Sequence, residues 1–229
     1  MPYDGVMEFA SATQRAMALP IFATLTFAAA VMAVMVSYFI DRSDLIYSIS
    51  LPMSYLLIGS LVKYGDQAFD SGTYCQRTAL LIALPTGLWL GSLVMLDEGT
   101  AVIFIGLLLS LLVAGKYDNT AFRIAFTAAM ILSLSAILMM HGDISLTSIA
   151  AVFVLSLIDE MVDAYPADDD LSFKAQIMRQ RPFLKIGVLI LCLTGALPSF
   201  MYLFAFLSFD FGYSMIDVAS TSGCGNGRV

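Results

Sequence analysis

Residues 45–70 read LIYSISLPMSYLLIGSLVKYGDQAFD. From Leu45 to Tyr64 the only charge is Lys63, near the end of the run. At 1.5 Å per residue, about twenty such residues cross the ~30 Å hydrocarbon core of a bilayer. The run then stops in a polar cluster, Lys63-Tyr64-Gly65-Asp66-Gln67-Ala68-Phe69-Asp70. The same pattern recurs along the chain. Apolar runs stand at Leu19–Ile40, Arg77–Leu96, Ala101–Gly115, Ala121–Met140 and Ile144–Ile158. A last one starts at Phe183 and continues beyond Ser208 to about Val218. That run is too long for one span, and Gly195, Pro198 and Ser199 sit in its middle. Proline lacks a backbone donor and interrupts a helix, so two short spans joined by a turn near Pro198 are expected. The alternative is one kinked helix with an interfacial tail. The fold class is therefore an all-α polytopic membrane protein of about eight short transmembrane helices, or seven on the alternative.

Composition agrees. The chain is 59% hydrophobic and 13% charged, against ~45–50% and ~25% for a soluble domain, which excludes a water-soluble globule and a disordered chain. Long unbroken apolar runs exclude a membrane barrel, whose strands alternate. Cys75, Cys192 and Cys224 are too few and too scattered for a disulfide scaffold. A net charge of −7 without a basic stripe argues against nucleic acid as a partner. Arg15, Lys63, Arg77, Lys116, Arg123, Lys174, Arg179, Arg181 and Lys185 fall on one side of the expected spans, and Arg42 on the other. The positive-inside rule then puts the N-terminus in the cytoplasm. Residues 1–18 read as an interfacial lead-in, with Asp4 and Glu8 where a secretory signal would be basic. Residues 19–219 read as one transmembrane domain, in four-helix halves at roughly 19–116 and 121–219. Residues 220–229 read as a flexible tail.

Acids need a reason in a membrane protein, because charge in hydrocarbon is costly. Those in the outer turns, such as Asp97, read as solvated turn residues. On the inner side, each even-numbered span ends in an acidic cluster. Asp66 and Asp70 are four apart, as are Asp159 and Asp163. Positions four apart share a helix face, so each pair repels. Both pairs also lie near helix C-termini, the unfavourable end for anions. A shared cation would remove both penalties, and hard divalent ions prefer carboxylate oxygen. The same offset of 93 residues takes Asp66 to Asp159 and Asp70 to Asp163, which suggests two related halves. A weaker echo at offset 53 matches Lys63-Tyr64 and Ala68-Phe69 with Lys116-Tyr117 and Ala121-Phe122. After the sixth span, Asp170 or Ser172 could cap an interfacial amphipathic helix that carries Lys174, Arg179 and Arg181.

At these residues the sequence resembles the UbiA superfamily of intramembrane prenyltransferases. The second aspartate motif of that family, DxxxD, is matched by Asp159 and Asp163. The first, NDxxDxxxD, is matched in its last part by Asp66 and Asp70, with Val62 and Lys63 where the family has Asn-Asp. The resemblance implies two four-helix halves and an active face in the cytoplasm. It implies Mg²⁺ held by Asp66, Asp70, Asp159 and Asp163 as the catalytic carboxylates. The ions would grip an isoprenyl diphosphate, whose prenyl group passes to a lipophilic acceptor. Lys63, Tyr64, Arg77, Lys116, Tyr117, Asn119, Arg123 and Arg181 are the candidate substrate-binding residues. The expected location is a prokaryotic cell membrane, with membrane lipid as a partner.

Two other classes stay open. A small-solute or ion transporter would place ionisable groups deep in the bilayer, and Asp210 is the candidate. A non-catalytic membrane subunit would use the acid pairs to meet a basic partner. The abundant Met, Ala, Gly and Ser allow the close helix packing that such a subunit, or a homo-oligomer, requires.

Overall fold

The computed structural model describes residues 35, 45–116, 119–139, 144–164 and 181–223. Apart from Met35 and Arg181, the first expected span and the amphipathic segment after the sixth lie outside the described residues, as does the candidate Tyr117. Within them the chain forms seven helices and no strand. These are α1 (Leu45–Asp70), α2 (Gln76–Leu96), α3 (Glu98–Ala114), α4 (Thr120–Met139), α5 (Leu146–Ala164), α6 (Pro182–Leu193) and α7 (Met201–Gly223). Four described segments are long and apolar enough to cross a membrane: Ile46–Asp70, Gln76–Leu96, Thr120–Met139 and Met201–Ser220. The expected runs recur as helices with boundaries moved by a few residues. α1 and α5 continue past the apolar run and through their acid pairs.

The long last run is broken between α6 and α7. Gly195 takes a left-handed backbone (φ 73°), a conformation that side chains with a Cβ resist, and Pro198 follows. α6 has 12 residues and is about 18 Å long, too short to cross the bilayer unaided. α7 runs to Gly223, so the start of the expected tail is helical.

The chain forms two compact units. One comprises Met1–Ile82 with Phe204–Val229, and the other Ala83–Leu203. In the first unit, α1 and α7 meet backbone to backbone. A Cβ at Gly59 would strike the carbonyl oxygen of Phe209, and one at Gly212 that of Leu56. Small residues of this kind let membrane helices approach closely enough for dispersion to hold them. Tyr55, Ile58 and Phe206 are buried in the same unit.

In the second unit α3 is central. Every residue from Gly99 to Leu108 is buried, as expected for a helix apolar on all sides. Its N-terminus is capped by Asp97, whose Oδ2 accepts from the Thr100 N–H at 2.7 Å. The other oxygen of Asp97 accepts from the Tyr202 hydroxyl at 2.7 Å. The expected solvated turn acid therefore does structural work. α3 packs on α5 and α4, and α6 packs on α5. Ser110 of α3 and Ser156 of α5 share a buried hydrogen bond at 2.6 Å. α4 leaves Ile131, Leu134 and Leu138 exposed. Their spacing puts them on one face, and water would penalise such a stripe where lipid would not.

Candidate functional site

Each unit gathers charge at one place. In the first unit it lies at the C-terminal end of α1. The Lys63 ammonium is 3.0 Å from Asp66 Oδ2 and 3.4 Å from Asp217 Oδ1. It also sits 4.7 Å from the centroid of the Tyr213 ring, whose face attracts a cation. Gln67 Nε2 donates to Asp217 Oδ1 at 2.8 Å, and the Tyr213 hydroxyl makes a long 3.5 Å contact with Asp66 Oδ2. Tyr64 stacks on Tyr74 at 4.5 Å between centroids, and the Tyr74 hydroxyl reaches the Ile216 carbonyl at 3.4 Å. Asp70 is exposed at the end of α1, and Arg77 is exposed at the start of α2. Beside Arg77, the exposed thiol of Cys75 is held below its ordinary range. The main cause is a hydrogen bond from the Thr78 backbone, with the Thr78 side chain and the Arg77 backbone adding to it.

In the second unit the charge lies where α3 and α5 end and α6 begins. Asp159 is 2% exposed. Its Oδ1 accepts from the Phe183 N–H at 3.1 Å and its Oδ2 from the Leu184 N–H at 2.7 Å. It thus caps α6 from another helix. This placement satisfies two donors that a helix start leaves without intrahelical partners and sets an anion at the favourable end of the dipole. The next residue, Glu160, is also buried. Its Oε1 is 2.9 Å from Arg181 Nη2 and its Oε2 is 3.4 Å from Lys116 Nζ. Arg181 precedes α6 with φ 50° and ψ 58°, and is the only non-glycine with positive φ among the described residues. Such strain persists where the surroundings over-determine the backbone. Here the two acids hold both the arginine head and the helix start that follows it.

The expected site residues therefore divide. Lys116 and Arg181 meet on one carboxylate. Lys63 and Asp66 meet each other. Asn119 caps α4, its Oδ1 accepting from the Phe122 N–H at 2.7 Å, and Arg123 is exposed one turn further on. Asp163 lies in the last turn of α5, with its side chain outside the described residues.

A divalent ion needs several carboxylate oxygens turned to one point. Among the described residues no three His, Cys, Asp or Glu side chains gather in that way. Both Asp159 oxygens are taken by backbone donors, and Asp66 Oδ2 is taken by an ammonium.

Glu160, Asp217, Gln67 and Tyr213 were not among the candidates. For Glu160 the available signal was adjacency to Asp159. For Tyr213 and Asp217 it was a polar pair four residues apart at the end of an apolar run, the spacing already noted for Asp66 and Asp70.

Comparison of the chain with family models, with curated proteins and with solved structures finds no match.

Proposed function

We propose that the chain is an intramembrane prenyltransferase that binds an isoprenyl diphosphate at the ends of its helices and passes the prenyl group to a lipophilic acceptor. The observation that carries this reading is the convergence of Lys116 and Arg181, from different helix ends, on Glu160. A guanidinium and an ammonium at an apolar boundary make a receptor for phosphate oxygens. In this reading the allylic C–O bond breaks, and its electron pair leaves on the diphosphate. The cations stabilise that developing charge. The acceptor attacks the allylic carbon and gives up a proton to solvent. The apolar helix surfaces take the prenyl tail. The chain lies in the membrane with its N-terminus and its charged helix ends in the cytoplasm, in eight spans or seven.

The test is release of diphosphate from an isoprenyl diphosphate by the purified chain in detergent, with and without added Mg²⁺. Lys116→Ala and Arg181→Ala should each lower release by about tenfold or more, the usual scale for losing a charge-assisted contact. Release at the wild-type rate in both variants defeats the proposal.

One observation favours a second reading, transport of an ion or small solute. Asp210 is 8% exposed within the candidate span Met201–Ser220, and buried intramembrane acids often mark ion or proton paths. Proteoliposome flux that disappears in Asp210→Asn would support this reading over the enzyme.

A further inference from the structure

Two adjacent acids on α5 are held in very different ways. Asp159 is anchored through both oxygens to backbone N–H groups at 3.1 and 2.7 Å. Glu160 is paired with side chains, Arg181 at 2.9 Å and Lys116 at 3.4 Å. Oε1 is buried and has no hydrogen-bond donor aligned on it among the described residues. Glu160 is itself 3% exposed, whereas the Lys116 side chain is 46% exposed and Arg181 25%. The cations therefore reach outward from a buried carboxylate.

We propose that Glu160 is a placeholder for the anionic group of the substrate. It holds Lys116 and Arg181 together until a diphosphate takes both. This deepens the prenyltransferase reading and rests on it. A diphosphate carries more charge than one carboxylate and offers oxygens on several sides. It can engage the guanidinium bidentately. Asp159 keeps the start of α6, and with it the Arg181 backbone, in place during the exchange. The cost of the exchange is repulsion between the bound anion and the carboxylate left behind it. That cost makes Glu160 a positioning residue that also weakens binding, a combination a purely structural ion pair would not show.

The experiment measures equilibrium binding of inorganic diphosphate to the full chain in detergent, together with the rise in unfolding temperature that the ligand causes. Wild type should bind, and the Lys116→Ala/Arg181→Ala double variant should not. Glu160→Gln should bind tighter by on the order of tenfold, because a nearby like charge is gone. Its ligand-induced thermal shift should also exceed that of wild type. Should Glu160→Gln fail to fold, Glu160→Asp retains the charge but draws it back from the cations, and should show a smaller gain. Equal or weaker binding in the glutamine variant, or in the aspartate variant where that replaces it, overturns the placeholder role. Wild-type binding that still depends on Lys116 and Arg181 would then leave the enzyme reading standing. No binding by wild type or by either Glu160 variant overturns both.

Discussion

The carboxylate of Asp159 accepts a 2.7 Å hydrogen bond from the backbone N–H of Leu184, 25 residues further along the chain. A second bond at 3.1 Å, from Phe183, completes the cap. An acid near the C-terminal end of one helix thus holds the start of another.

That assignment predicts a stability effect independent of metal. Asp159→Ala should cost about 1–3 kcal/mol, the range for losing a cap and stranding its buried donors. Asp159→Asn keeps an acceptor and should cost less. The check is unfolding in detergent with and without Mg²⁺. A Mg²⁺-dependent gain in wild type that Asp159→Ala abolishes would speak for a metal ligand instead.

Lys63 neutralises both Asp66 and Asp217. Lys63→Met leaves two partly buried carboxylates without their cation. Removing one partner of a fully buried pair costs ~3–5 kcal/mol. Asp66 and Asp217 are 22% and 33% exposed, so solvent screening brings the expected loss down to about 1–3 kcal/mol. Adding Asp217→Asn to Lys63→Met should recover part of it. A double variant less stable than the single one would show that the charges are not coupled.

The glycine contacts predict a graded series. Gly59→Ala sets a methyl against the Phe209 backbone, and Gly212→Ala sets one against Leu56. Backbone cannot yield, so the helices must separate, at a cost of about 1–3 kcal/mol. Gly187→Ala meets the Leu155 Cδ1 atom, the end of a flexible side chain, and should cost less. Unfolding midpoints of the three variants would reveal the order, and equal effects at all three sites would contradict it.

Cys75 is exposed and Cys192 is buried. With Cys224 replaced by serine, a membrane-impermeant maleimide should label Cys75 and spare Cys192. Hydrogen bonds from Thr78 favour the Cys75 thiolate, so its reaction rate should reach half-maximum at a pH below that of an ordinary thiol. Thr78→Ala removes the side-chain bond and should move the midpoint upward. Labelling of intact cells tests the orientation: with the charged helix ends in the cytoplasm, Cys75 reacts only after the membrane is opened. Reaction in sealed cells would invert the topology.

The described helices were legible because bilayer physics is local. A run such as Ala121–Met140 has to satisfy its own backbone in hydrocarbon, and a helix does that without help from distant residues. The break near Pro198 was legible for the same reason, since a missing donor acts where it stands. The charged clusters were legible only as composition. Lys63 near Asp66 could be read from a spacing of three, but Asp217 is remote in sequence. Nothing local marks Asp159 as a cap for a helix that starts beyond a 16-residue segment, residues 165–180. Local reasoning correctly flagged Asp159 as an acid at the wrong end of its own helix, and the N-terminus of α6 supplies two of the donors that compensate it.

The amino-acid order by itself determined that this chain is built of apolar helices suited to a bilayer, and where most of them start and stop. Tertiary structure alone decided which charge answers which: Glu160 with Arg181 and Lys116, Lys63 with Asp217, Asp159 with the N–H groups of Phe183 and Leu184. The division follows from range. Backbone hydrogen bonding and hydrophobic length are settled within a few residues, while a buried charge must find its counter-charge anywhere the packed helices bring one within about 3–4 Å.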